Sequence, residues 1–464
     1  MYRNQPGSHG ACRNAAVRHA ARLGSLSAIF FLALSPSEAR AAVEGESAFV
    51  FNTFAFLVWG ALVMWMAAGF TMLESGSVRT KNASAICLKN IGLYSIAGLT
   101  FYAVGFNFMY VGVEPGGWFG SLNFLYGPSA DEIGLLDGQE EAAAAVIGNG
   151  YSTMSNWYFQ MVFVATTASI VSGALAERVK LWSFFIFITV LTAFIYPLVG
   201  AWTWGGGWLA EMGFKDFAGS TIVHSTGGWA ALAGALIVGP RKGKFRPDGS
   251  VKITPPSNVP IVTLGVFILW LGWFGFNGGS QLAMGGALDA VAVSNIFTNT
   301  NLAACAGVMT AICLSRPILG RLDLYAGLNG TLAGLVAVTA APDIVGHHWA
   351  VIIGATGGLV CLVALRLLEV LKIDDVVGAV PAHLFAGVWG TLAVCIAGGG
   401  NFLVQLAGIL AIGVFVFGTS MLTWFAIDRT LGSRVSTTVE VLGQDVGELG
   451  IEAYPEFVVM PEED

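Results

Sequence analysis

Hydrophobic residues gather into eleven long runs parted by polar breaks, at about 49–71, 86–112, 156–175, 181–204, 218–239, 259–277, 287–315, 322–341, 347–371, 379–399 and 402–427. Runs of this kind approach or exceed the roughly 20 residues with which a helix crosses a hydrocarbon core about 30 Å thick. The expected fold is an all-α membrane protein of eleven transmembrane helices. Small residues recur inside the runs, as in Gly227-Gly228 and Gly357-Gly358, and let helix backbones approach closely in lipid. The longest break, 113–154, is glycine-rich and acidic.

Alternate breaks should carry the Lys and Arg if the runs span a membrane. One set of breaks, with the tail, holds Arg79, Lys81, Lys89, Arg178, Lys180, Arg241, Lys242, Lys244, Arg246, Lys252, Arg316, Arg321, Arg366, Lys372, Arg429 and Arg434. The other set holds only Lys215. The first set is therefore expected in the cytoplasm of a cell inner-membrane, multi-pass protein. Before the runs, Arg3, Arg13, Arg18 and Arg22 precede an apolar stretch at 23–34, then Ser35-Pro36-Ser37 and Ala39-Arg40-Ala41. That order reads as a signal peptide over residues 1–41, cleaved after Ala41. An odd number of spans after a secreted N-terminus puts residues 428–464 in the cytoplasm, in agreement with the charge bias. The expected organisation is a leader (1–41), an eleven-helix domain (42–427) and a cytoplasmic regulatory tail (428–464).

Composition narrows the function. The chain is 55% hydrophobic and 11% charged, well below the roughly 25% charge of soluble domains. A net charge of -7 offers no basic face to neutralise phosphates, which excludes nucleic acid as a partner. Cys305, Cys313, Cys361 and Cys395 lie inside apolar runs without CxxC spacing and read as small core residues, so neither a zinc site nor a cofactor is expected. No nucleophile–base pair emerges, so an enzyme is not expected.

Two segments share a pattern: "DFAGSTIVHSTGG" at 216–228 and "DVVGAVPAHLFAG" at 375–387. Both read Asp, two residues, Gly, four residues, His, three residues, Gly, and they lie 159 residues apart. One begins on each side of the membrane, which is the mark of an inverted repeat, here of five helices around a central pore. Eight helical residues rise about 12 Å, so His224 and His383 are expected to meet near the midplane. Ionisable residues at that depth are costly and point to function. Two neutral imidazoles can share one proton, each offering a donor or an acceptor, and so line a path for a small polar solute. His347 and His348 are placed in an outside loop. Metal binding is the rival use of two His, but no Cys or carboxylate completes a ligand set.

The stretches "GALAERVKLWS", "WTWGGGWLA", "DFAGSTIVHSTGG", "GWFGFNGGS" and "GQDVGELGIEAY" resemble the bacterial Amt branch of the ammonium transporter (Amt/Rh) family, over about 48–454. The resemblance implies an outer recruitment site from Phe163, Trp204 and Ser280, with Asp216 supporting it. It implies a gate of stacked rings, Phe159 or Phe163 with Phe276, and Trp273 beside the twin histidines. It further implies a homotrimer with one pore per subunit and a tail, "GSRV" then "GQDVGELGIEAY", that responds to PII-type signalling proteins. One departure stands out: where the family would place an acid before the second His, this chain has Gly378, leaving Asp374 and Asp375 to supply any inner-side charge.

Aromatic faces attract a cation, and the Ser280 hydroxyl can accept one of the four hydrogen bonds that ammonium donates and potassium cannot. Asp216 can also cap the helix that follows it. The expected function is an ammonium transporter that recruits the cation, removes its proton and conducts ammonia past the twin histidines. The alternatives are an electroneutral ammonia channel and an ammonium sensor signalling through the tail. Against the sensor, the 37 residues from Asp428 onward hold no recognisable kinase or cyclase.

Overall fold

The computed structural model describes residues 45–457 except residue 345. The expected leader lies outside the described residues. Eleven helical segments answer the eleven runs: α1 (Gly45–Ser77), α2 (Thr80–Tyr110), α3 (Thr153–Ala174), α4 (Leu181–Trp202), α5 (Ser220–Val238), α6 (Val259–Gly279), α7 (Ala287–Leu319), α8 (Leu324–Val338), α9 (His347–Val370), α10 (Val380–Ile396) and α11 (Phe402–Thr430). Eight are by themselves long and apolar enough to cross a membrane; α3 is long enough but less apolar, and α8 and α10 are shorter. The protein is an all-α, multi-pass membrane protein.

The inverted repeat governs the packing. α1 lies along its counterpart α6, and α5 crosses its counterpart α10. Contacts of α1 with α3, of α2 with α3 and of α2 with α4 recur as α6 with α8, α7 with α8 and α7 with α9. Five is odd, so the second set runs opposite to the first. α11 stands outside the repeat, against α5 and α10. Repeat-equivalent residues touch one another where the two halves cross: His224 and His383 face each other, and Ser225 Oγ donates to Leu384 O at 3.4 Å. Contact between equivalents places the pseudo-twofold axis at the histidine pair.

That crossing is tight. A Cβ on Gly387 would sit 2.3 Å from Ser220 O, and one on Gly228, its equivalent, 2.7 Å from Leu384 N. Gly387→Leu is expected to push α5 and α10 apart, costing on the order of 3 kcal/mol. A lower thermal midpoint and loss of the monodisperse peak on size exclusion would register it.

Neither repeat helix starts at its Asp. Residues 216–219 form a turn ending at Gly219, with φ +104°, and the helix opens at Ser220 with a π-helical turn in which the His224 N–H donates to Gly219 O at 3.0 Å. α10 repeats this, with Gly378 at φ +81° and a π-helical turn over Val380–Phe385. Each histidine stands on the first turn of its helix, where single π turns often mark functional positions.

At the tail-side end of the helices, Lys89 falls in a helix rather than a loop, and Arg178 and Arg241 lie in breaks, as expected, but are buried. Lys89 lies within α2 and is 2% exposed. Arg178 donates to the carbonyls of Ala174, Gly239 and Asp374. Arg241 bridges Glu177 at 2.9 Å and Asp374 at 2.8 Å. Burial pushes the Glu177 carboxyl up, but hydrogen bonds from Arg79 and the charge of Arg241 overcome it and hold the group at about 2. The same balance, set by Arg241 and Arg178, holds Asp374 well below the usual carboxylate range. The positive bias of these breaks is thus partly a buried ion-pair network. His347 and His348 likewise open α9 rather than sitting in a loop, and His347 Nδ1 lies 2.8 Å from Asn299 Oδ1.

After α11 the chain folds back over the starts of α2 and α4. Asp445 accepts from the N–H groups of Ser84 and Ala85 at 3.0 and 2.8 Å, supplying acceptors to the open first turn of α2. Gln444 N–H donates to Asn82 Oδ1 at 3.0 Å, and Glu448 accepts from Leu181 N–H at 3.2 Å.

Candidate functional site

The far end of the bundle, opposite the tail, holds the residues expected to recruit the solute. Trp204 follows α4, Ser280 closes α6, and Asp216 precedes α5. Asp216 is 5% exposed and fully engaged: Oδ1 accepts from the N–H groups of Gly219 (3.1 Å) and Ser220 (2.7 Å), and Oδ2 from those of Thr221 (2.7 Å) and Ile222 (2.9 Å). It caps α5 with both oxygens. Its backbone carbonyl accepts from Trp204 Nε1 at 3.0 Å, so one residue fixes both the helix that carries His224 and the indole.

From Trp204 a column of rings runs inward. Its ring meets Phe163 edge-on at 5.9 Å, and Phe163 stacks on Phe276 at 4.0 Å and 26°. Phe276 lies 5.2 Å from the His224 ring. Phe159 packs instead on Phe163 and Phe56, so of the two candidate gate rings it is Phe163 that stacks on Phe276. Ser280 Oγ donates to Phe276 O at 2.9 Å, leaving its lone pairs for another donor.

Trp273 stacks on His224 at 4.9 Å and 19°, and its Nε1–H donates to Thr339 Oγ1 at 2.9 Å. His224 and His383, 0% and 3% exposed, bring their Nδ1 atoms to 3.2 Å with ring centroids 5.2 Å apart. Only one proton fits between two such nitrogens. In the neutral pair one ring therefore donates at Nδ1 and keeps a bare Nε2, while the other accepts at Nδ1 and carries its proton on Nε2. Nε2 of His224 is buried without a partner. Phe70 follows His383 at 6.5 Å and ends the column.

On the tail side, Asp375 repeats the role of Asp216 with fewer bonds, accepting from Gly378 N–H at 3.0 Å and Val380 N–H at 2.7 Å. Asp374 is held by Arg241, so neither acid is a free charge at this end.

The model of the Ammonium Transporter Family matches residues 54–454. The chain belongs to that family. Among its relatives, Ammonium transporter Amt2 of Archaeoglobus fulgidus is 38% identical, with 87% of this chain and 88% of that protein aligned. Putative ammonium transporter sll1017 of Synechocystis is 36% identical over 92% and 95%. Among solved structures, one titled "Sensor Amt Protein" superposes with a TM-score of 0.78 at 35% identity, covering 87% of this chain and 99% of that one. Candida albicans Mep2 gives 0.73 at 27%, covering 89% and 94%.

Within this family member, Gly378 has a backbone reason. At φ +81° an L side chain is strained, and a Cβ would lie 2.9–3.1 Å from the Asn329 amide. Gly378→Asp, which installs the acid expected there, should destabilise the protein by about 1–3 kcal/mol; its thermal midpoint in detergent measures this.

Sequence reasoning passed over Thr339, which orients Trp273, and Glu74, Asn90 and Ser172 behind His383. Thr339 lay inside an apolar run. Glu74 sits just beyond the run ending at 71, where an acid looks interfacial, yet α1 continues to Ser77 and buries it.

Proposed function

We propose that the chain takes ammonium to the cytoplasm by recruiting it at Trp204, Phe163 and Ser280, removing its proton, and conducting ammonia past the Phe163–Phe276 stack and the twin histidines. The observation that carries this reading is the Nδ1–Nδ1 contact of His224 and His383 at the foot of an otherwise aromatic column. Burying a bare cation there is expensive, and deprotonation lowers that barrier. Aromatic faces favour arrival of the cation, while Asp216 orients Trp204 without needing to touch the solute.

The pair can also move the released proton. A proton added at the bare Nε2 of one ring displaces the shared Nδ1 proton to the other ring, which releases its own from Nε2. Atoms balance, and the pair ends with its donor and acceptor reversed.

The same proposal includes a cleaved leader at 1–41, a homotrimer in the inner membrane with the mature N-terminus outside, and a cytoplasmic tail from 428 that meets PII-type proteins. The charge bias supports the orientation, and the docking of Asp445 on α2 supports the tail as a controlling element.

A sensor is the second reading, favoured by the 35% identity to the structure titled "Sensor Amt Protein". Growth separates the two. The chain is expected to restore growth of an ammonium-transport-deficient strain on low ammonium; failure to do so while the protein reaches the membrane and binds ammonium would favour sensing.

A further inference from the structure

Behind His383, toward the tail, lies a buried carboxylate that the transport path described above does not use. Glu74, on α1, is 0% exposed. All its protein donors converge on Oε2: Ser172 Oγ at 2.6 Å and Asn90 Nδ2 at 3.2 Å, with Lys89 Nζ at 3.9 Å. Lys89 donates instead to Ser172 O at 2.7 Å and lies over the Phe184 ring. Oε1 is buried and has no partner.

A purely structural buried pair would close both carboxylate oxygens, because an unmet buried acceptor costs about 1–3 kcal/mol and more for a charge. The Arg241–Asp374 pair does so at 2.8 and 2.9 Å. Glu74 instead borders a cavity of about 10 Å³ that it shares with His383, Phe70, Asn329 and Val377. That volume is at the scale of one water or one ammonia. Asn329 and Val377 also line a second cavity of about 230 Å³, bounded by Arg241, Asp374 and Asp375. A solute leaving His383 thus meets a single-molecule chamber bordered by Glu74, one of whose carboxylate oxygens is unpaired, and beyond its wall a wider vestibule.

We propose that Glu74 forms a second, tail-side ammonium site, in which ammonia emerging past His383 is recharged and held before release. This rests on the transport reading above. Ammonia in the chamber takes the proton from His383 Nε2: that N–H breaks, the fourth N–H of ammonium forms, and the ring returns to neutral. Oε1 then accepts one N–H of the new cation as its counter-ion.

The test reconstitutes the full chain in proteoliposomes and records the current evoked by ammonium, its half-saturating concentration and the thermal midpoint, for wild type, Glu74→Gln, Glu74→Asp and Lys89→Met. Glu74→Gln should lower the current at least tenfold with half-saturation unchanged, because the recruitment site is remote. Glu74→Asp, whose oxygens retreat by about 1.5 Å, should lose severalfold, and it decides the matter if Glu74→Gln does not fold. Lys89→Met should keep most of the current. Wild-type current in a folded Glu74→Gln or Glu74→Asp protein overturns the inference alone. Equal losses of current and stability in Glu74→Gln and Lys89→Met make the pair structural and also overturn it. A wild-type protein with no ammonium-evoked current overturns the transport reading and the inference with it.

Discussion

His224→Ala and His383→Ala are expected to fold and to lose ammonium flux selective over potassium by about 10- to 100-fold. Each ring is held by stacking and one Nδ1 contact rather than by a wide network, so truncation leaves the helix crossing in place. The crossing itself depends on Gly228 and Gly387, four residues beyond each histidine. What is lost is the only polar pair in the column. A solute hydrogen bond unmet in such surroundings costs about 1–3 kcal/mol, and each 1.4 kcal/mol on a barrier is about tenfold in rate. The surviving ring also lacks its partner, so the proton relay is broken in either variant. Uptake of ammonium with potassium as competitor measures the effect, alongside thermal midpoints within a few degrees of wild type. Unchanged selective uptake in both variants would remove the pair from the mechanism.

Asp216→Ala should be the more damaging change to the fold. It leaves four backbone N–H groups at the start of α5 without their acceptors. A single lost N-cap costs about 1 kcal/mol, and hydrogen bonds to a charged acceptor about 1.5–3 each. Water cannot readily replace the carboxylate where the residue is 5% exposed, so a loss on the order of 4 kcal/mol is expected. Asp216→Asn should recover only part of it, because the amide brings two donors against donors. Thermal midpoints should rank wild type above Asn above Ala, with each histidine variant near wild type; an Ala variant as stable as wild type would refute the capping role.

The repeat was legible because it is written in residues whose chemistry recurs: an Asp to cap, a Gly to turn, a His to work and a Gly to let the helices cross. The apolar runs marked the helices for the plain reason that lipid leaves few alternatives. What escaped has physical causes as well. Phe159 and Phe163 are one turn apart on α3, so spacing cannot say which meets Phe276; only the approach of α6 decides. Lys89 and Arg178 look like loop charges because they lie at the ends of apolar runs, whereas α2 takes in Lys89 and backbone carbonyls receive the buried Arg178 guanidinium. Gly378 looks like a missing acid until its positive φ is seen. The open oxygen of Glu74 cannot be read from any spacing, since it depends on where α2 and α3 put Lys89, Asn90 and Ser172.

The central claim is that ammonium crosses as ammonia with its proton passing through the histidine pair. Purified protein in potassium-free proteoliposomes, given a step of ammonium, should produce a saturable inward positive current that falls at least tenfold in His224→Ala. Saturable ammonia entry with no charge movement in the wild type would contradict the account and leave an electroneutral channel.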